Sequence, residues 1–137
     1  MKPQIALITL MTDYVPGMVA FYRDVLGFEV DVDMGEYISL KNEGVRFAIC
    51  DRNIMLEATS HESYTTGSSG QAVELAFQCD SPEEVDQMYE KITSQGAKGI
   101  KPPASMPWGQ RTAFFTDPEG NIHEIFSELP KRTTEAL

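Results

Sequence analysis

Histidine and cysteine are both scarce in this chain, two of each in 137 residues, and the scarcity removes several chemistries before any motif is considered. Cys50 and Cys79 sit inside apolar, strand-like runs with no CxxC or CxxH neighbour. A zinc site built on thiolates therefore has no support, and buried reduced thiols are expected rather than a disulfide. Positive charge is also short. The 11 Lys and Arg stand against 21 Asp and Glu, a formal net charge of −10, which argues against nucleic acid and anionic membrane surfaces as partners. No long hydrophobic run is present. The apolar stretch 5–11 is far below the roughly 20 residues of a membrane span, and it lacks the cationic segment and cleavage site of a signal peptide. A cytoplasmic protein with no membrane partner is expected. Ser63, Ser68 and Ser69 lack the context of a nucleophile elbow, and Gly67-Ser68-Ser69-Gly70 lacks the lysine and following helix of a phosphate loop.

What is present is an ordinary globular composition, 42% hydrophobic and 23% charged. The length suits a single domain that buries about two-thirds of its unfolded surface. The stretch 5–11 is continuously apolar apart from one Thr and reads as a strand buried on both faces. Thr12-Asp13-Tyr14-Val15-Pro16 opens a helix, Met18, Val19, Phe21, Tyr22, Val25 and Leu26 carry its period, and Gly27 stops it. Residues 28–33 alternate strictly, and 37–40 and 46–50 complete three strands. A connector, polar and Gly/Ser-rich from Ser60, occupies 51–71. The pattern then restarts with a strand at 72–79 and a helix start at Asp80-Ser81-Pro82-Glu83-Glu84. Val85, Met88, Tyr89 and Ile92 carry the second helix to Gly96, and strands follow at 97–101, 111–116 and 122–127.

The order βαβββ thus occurs twice, in module one at 4–50 and module two at 72–128, with a charged, frayed tail at 129–137. Asp13 and Asp80, 67 residues apart, both open a helix, and Tyr22 and Tyr89 stand at the same offset. The class is α+β. Each module leaves one sheet face uncovered, to be buried against its twin or a second subunit.

Asp117-Pro118-Glu119-Gly120-Asn121 is a turn with a mechanism. Pro118 fixes φ, Gly120 can take positive φ, and Asp117 and Asn121 can bond their own backbone. In the strand that follows, alternation puts Ile122, Glu124 and Phe126 on one face and His123 and Ile125 on the other. A carboxylate between two apolar neighbours is either an edge residue or an acid aimed into a pocket. His123 is expected against a helix or solvent.

Phe21-Tyr22-Arg23-Asp24-Val25-Leu26-Gly27-Phe28 and Asp117-Pro118-Glu119-Gly120-Asn121-Ile122-His123-Glu124 resemble the two signatures of the vicinal oxygen chelate superfamily. That group includes glyoxalase I, bleomycin resistance proteins and extradiol dioxygenases. Pro107-Trp108-Gly109-Gln110-Arg111 is similar to a segment of its bleomycin-resistance-like branch. The resemblance runs from residue 4 to about 128 and implies two cupped four-stranded sheets around one cleft, usually completed in a homodimer.

Metal-dependent members of that superfamily place ligands at four equivalent points, two per module. In module two the resemblance puts them at Glu74 and Glu124. The repeat offset then puts Leu7 opposite Glu74, and aligning Gly44 with Gly120 puts Ala48 opposite Glu124. Two oxygen donors are kept and two places are aliphatic, with no histidine at any of the four. Zinc or iron centres normally take three protein ligands. The expectation is therefore no tightly bound cofactor, with a divalent metal on Glu74 and Glu124 as the open alternative. Trp108, Arg111, Phe114 and His61, together with Leu7 and Ala48, are the candidate ligand contacts. Trp108 either lines the cleft mouth or anchors its loop. Arg111 either pairs with a glutamate or lies outside, and His61 is either a solvated loop residue or a lid. The leading function is a binding protein that captures a small molecule in an acidic, aromatic-rimmed cleft. The alternative is a metal-dependent lyase, isomerase or dioxygenase with Glu74 and Glu124 as catalytic groups, and a third is a structural dimer with a vestigial cleft.

Overall fold

A computed structural model describes residues 1–67 and 69–131; Ser68 and the tail from 132 onward lie outside the described residues. The chain divides into two compact units, Met1–Gly70 and Gln71–Leu137, and each holds one four-stranded mixed sheet.

The first unit runs β1 (Leu7–Thr12), α1 (Val15–Ala20), β2 (Val30–Asp33), β3 (Tyr37–Leu40) and β4 (Arg46–Asp51). Its sheet order is β1-β4-β3-β2, with β1 parallel to β4 and the others antiparallel. Because β1 is an edge strand, it is partly exposed and not buried on both faces as its apolar run suggested. Its Thr12 hydroxyl accepts from Tyr14 N–H at 3.0 Å, and Pro16 sits in the first helical turn. After Ala20 the helix widens into a π-turn, Phe21–Val25, and Gly27 follows with φ 91°. Phe21 and Tyr22 are buried, and the Tyr22 ring meets Phe47 edge-on at 5.4 Å, which locks the helix to β4.

The stretch after β4 contains a helix that the reading of 51–71 as a connector does not include. Asp51 accepts from Asn53 N–H and caps α2 (Arg52–Thr59), and a 3₁₀ turn at Glu62–Tyr64 follows. Arg52 is the one buried residue of α2. Its guanidinium meets Asp13 at 2.9 Å and lies against Gly67, so a cation ties the segment down in place of an apolar stripe.

The second unit repeats the order with β5 (Ala76–Gln78), α3 (Pro82–Ser94), β6 (Lys98–Ser105), β7 (Gln110–Thr116) and β8 (Ile122–Glu128), arranged β5-β8-β7-β6. Ser81 accepts from Glu84 N–H at 3.1 Å while Glu84 accepts from Asp80 N–H at 2.9 Å, a reciprocal cap that starts α3. The helix packs on β6, β7 and β8 and buries Val85 and Ile92. Beneath it lie Ala113, Phe115, Ile125 and His123. Burying a side chain such as Phe115 contributes about 2 kcal/mol.

The first strand of this unit is shorter than the 72–79 expected, because residues 71–75 follow β8 through side chains. The Gln71 amide takes both backbone groups of Ile122, at 2.8 and 3.1 Å. His123 Nδ1 accepts from Leu75 N–H at 3.0 Å, and Glu124 N–H donates to Leu75 C=O at 2.9 Å.

The registers of the two sheets correspond. Thr9 faces Ala48 in one and Ala76 faces Glu124 in the other, and Thr9 and Ala76 are 67 residues apart, like Asp13 and Asp80.

Candidate functional site

The geometry of the second unit begins at its turn. Asp117 is buried and accepts from Glu119 N–H and Asn121 N–H with Oδ1, at 2.9 and 3.0 Å, and from Asn121 Nδ2 with Oδ2 at 2.8 Å. Gly120, at φ 84°, donates its N–H to Asp117 C=O and closes the turn. His123 Nε2 stands 3.5 Å from Asp117 Oδ2. With Nδ1 accepting from Leu75, the ring proton belongs on Nε2, directed at the carboxylate. His123 is therefore a buried connector between the turn and residue 75, with its ring between Phe77 and Phe115.

Leu75 is held at both its N–H and its C=O, and the residue before it is Glu74. The Glu74 carboxyl lies near enough to that of Glu124 to act on it electrostatically. Burial, first, pushes the Glu124 carboxyl above its ordinary pKa, and the neighbouring Glu74 carboxylate raises it further. Glu74 lies on the approach to β5, two residues before the strand on which it was expected.

Around this pair the sheet alternates cleanly. Ala113 and Phe115 are buried beneath α3, so Thr112 and Phe114 fall on the opposite face, with Phe114 directly across from Glu124 and Thr112 across from Phe126. Thr112 is fully buried, and its hydroxyl has no hydrogen-bond partner among the described residues. That orphan polar atom, two residues along β7 from Phe114, was missed in the sequence; the parity of β7, once anchored to Glu124, is the signal that places it on the face of Glu124.

The other candidates separate. Arg111 shares the α3 face, where its Nε and Nη2 donate to Asp86 Oδ1 at 3.0 and 2.8 Å. Of its two open placements it takes the one away from the glutamates. Trp108 is 60% exposed; its indole N–H donates to Gln110 Oε1, and Gln110 Nε2 donates to Glu128 Oε1. It is held at the end of β7 and β8, about 13 Å along the strand from Glu124 by residue count, beside a cavity of about 710 Å³. In the first unit, His61 Nδ1 accepts from Ser63 N–H and caps the 3₁₀ turn, Leu7 is partly exposed, and Ala48 is fully buried. The thiols are quiet. Burial, then the nearby Glu84 and Asp80 charges, push Cys79 up to about 11, and burial likewise raises Cys50.

A model of the Glyoxalase/Bleomycin resistance protein/Dioxygenase superfamily matches residues 4–125. This chain belongs to that superfamily. The Bacillus subtilis (strain 168) protein YraH is 29% identical over 126 residues, 89% of this chain and 96% of its own length. A crystal structure of a glyoxalase/bleomycin resistance protein/dioxygenase from Nocardioides is 30% identical, covers 96% of this chain and 87% of that one, and superposes with a TM-score of 0.84. A superfamily enzyme from Burkholderia phytofirmans PsJN shares the fold at 23% identity, with a TM-score of 0.83 over 93% of this chain and 100% of that one. The superfamily binds small molecules and often forms dimers.

Its members often hold divalent metals, so the donors here matter. Among the described residues no group of three or more His, Cys, Asp or Glu side chains gathers in a metal-holding arrangement. Two carboxylates fall short of the three protein ligands, usually including histidine, of a catalytic zinc or iron, and the set does not fit such a centre. No helix among the described residues is long and apolar enough to cross a membrane.

Proposed function

We propose that this member of the superfamily is a small-molecule binding protein that captures a ligand bearing an ammonium or other N–H donor. Its site is the acidic, aromatic-rimmed sheet face of the second unit. The observation that carries the reading is the placement of two acids side by side. Glu124 N–H donates to Leu75 C=O, which brings the preceding Glu74 next to Glu124, and burial and then the Glu74 charge raise the Glu124 carboxyl above its ordinary range. Two carboxyls brought together on a partly apolar face are costly unless something positive or hydrogen-bonding meets them. Phe114, directly across from Glu124, and Phe126, two residues along its strand, flank it with apolar surface on the same face. Titration of the full chain with benzylammonium, followed by NMR, tests this. Glu124→Gln and Glu74→Gln each weaken binding by about tenfold, while neutral benzyl alcohol binds weakly to all three proteins. Unchanged benzylammonium affinity in both variants would sink the reading.

The all-oxygen character of the pair favours one second reading, an enzyme of the lyase, isomerase or dioxygenase kind. In it Glu74 and Glu124 hold a weakly bound Mg²⁺ or Mn²⁺ that keeps water in its shell. Saturable Mn²⁺ binding by electron paramagnetic resonance, lost in Glu124→Gln, selects this reading over the first. A homodimer is proposed in either case.

A further inference from the structure

The first unit carries a cavity of about 450 Å³ whose chemistry is opposite to that of the acid pair. Packing of α1 on β3 and β4 covers Ile38, Leu40, Phe47 and Ile49. Alternation then leaves Tyr37, Ser39, Arg46 and Ala48 on the other face. Leu7 joins that face through its pairing with Arg46, and Val32 through its pairing with Ser39. Leu7, Val32, Tyr37, Ser39 and Arg46 all line the cavity, with Asp31, Lys41 and Asn42 among its other residues.

Its polar groups mostly donate. Lys41 is engaged with Glu29 at 3.2 Å. Among the described residues Arg46 has neither an ion pair nor a side-chain hydrogen bond, although its backbone N–H is fixed to Ala6 C=O at 3.1 Å. The sheet register shifts between Val30 and Val32, and the Val32 N–H released there goes to Ser39 Oγ at 3.1 Å. Having accepted that bond, the Ser39 hydroxyl keeps its own proton to donate. The Tyr37 hydroxyl adds a second donor on the same face. Asp31, at the bulge, is the one carboxylate in the lining and is not within ion-pair distance of Arg46. In a chain of net charge −10, an arginine left without an acid partner on a face of hydroxyls and hydrocarbon stands out. The long-range field repels anions, so selection must come from contact, which the planar guanidinium fork provides for a carboxylate. Leu7 and Val32, on the same face as Arg46 and Ser39, supply hydrocarbon for an apolar body.

We propose that this cavity binds a small carboxylic acid with an apolar or aromatic body, its carboxylate held by Arg46 and the Ser39 hydroxyl. The site lies in the first unit, prefers the opposite charge, and stands or falls independently of the acid-pair reading. The test is calorimetric titration of the full chain at low salt with 2-naphthoate and with its neutral isostere 2-naphthamide. Naphthoate binds saturably, and the amide is weaker by about tenfold or more, the difference expected for a charge-assisted bidentate contact. Arg46→Gln removes that preference, Arg46→Lys keeps part of it, and Ser39→Ala lowers naphthoate affinity about threefold. Circular dichroism melts establish that the variants fold. Equal binding of acid and amide by the unmodified chain overturns the proposal without recourse to any variant. So does naphthoate affinity unchanged in both Arg46 variants, or no saturation below about 10 mM.

Discussion

Asp117, His123 and Leu75 form one relay, and the acid pair depends on it. A buried carboxylate that accepts three hydrogen bonds and faces an imidazole holds the ring that holds residue 75, which places Glu74 beside Glu124. Replacing His123 by Ala leaves the Leu75 N–H without its acceptor and opens a hole between Phe77 and Phe115. A loss of about 2–4 kcal/mol is expected by denaturant unfolding. A purely structural role would stop there. As a positioning residue, His123 should also move the Glu124 titration: with residue 74 released, Glu124 in His123→Ala titrates closer to an ordinary glutamate by carbon-detected NMR. The pair also sets a pH dependence. The folded pKa of Glu124 is raised, so its contribution to stability is complete below the ordinary glutamate range and is lost as pH rises through the higher folded value. Glu124→Gln removes that limb. Calorimetry from pH 4 to 8 should show a flatter profile, with a Tm at neutral pH unchanged or raised by up to about 2 °C. A large fall in Tm with the fold retained would mean that the carboxylate is structural.

At the scale of elements, α3 and β6 meet at a point that tolerates no growth. A Cβ on Gly99 would collide with the Tyr89 hydroxyl. Gly99→Ala should therefore destabilise by about 1–3 kcal/mol, and Tyr89→Phe in the same chain should recover part of the loss in a double-mutant cycle. Additive effects would show that the clash is relieved elsewhere. The doubled βαβββ order was legible because Met18, Phe21 and Tyr22, and later Val85, Met88 and Ile92, repeat at helical spacing between runs of apolar strand residues. The choice of Glu74 and Glu124 rested on the resemblance of their segments to the superfamily, while the repeat supplied only their first-module counterparts Leu7 and Ala48. The 67-residue offset itself survives in the strand registers. Helix α2 was not legible. Ile54-Met55-Leu56 clusters without period, and its anchor is the buried Arg52, which apolar patterning cannot reveal. The loss of strand at 72–75 was equally hidden, because Gln71 and His123 side chains replace the ladder bonds there. Arg111 could be placed only once the turn at Asp117 fixed the parity of β7 against β8.

For the molecule as a whole, charge and uncovered apolar surface pull in opposite directions. Each sheet has a helix on one face, and Ile5, Val73, Ile100 and Trp108 expose 77%, 69%, 46% and 60% of their surface. Burying such apolar surface between two copies is favourable at roughly 25 cal/mol per Å². Against it stands the net charge of −10 on every copy, which opposes association over a Debye length of roughly 10 Å at 0.1 M salt. A homodimer built this way should bury at least the roughly 1,600 Å² of a standard interface. Its affinity should rise with ionic strength, because salt screens the repulsion and leaves the apolar term in place. Sedimentation equilibrium at micromolar concentration should give twice the 15.3 kDa chain mass, and dissociation should be easier at about 0.02 M salt than at 0.5 M. Ile100→Lys, which adds an unpaired charge to the exposed apolar set, should shift the equilibrium toward monomer with little change in the far-ultraviolet spectrum. A single 15.3 kDa species at every salt concentration, with a cooperative melt, would show that each copy is stable alone, and the dimer would have to be abandoned.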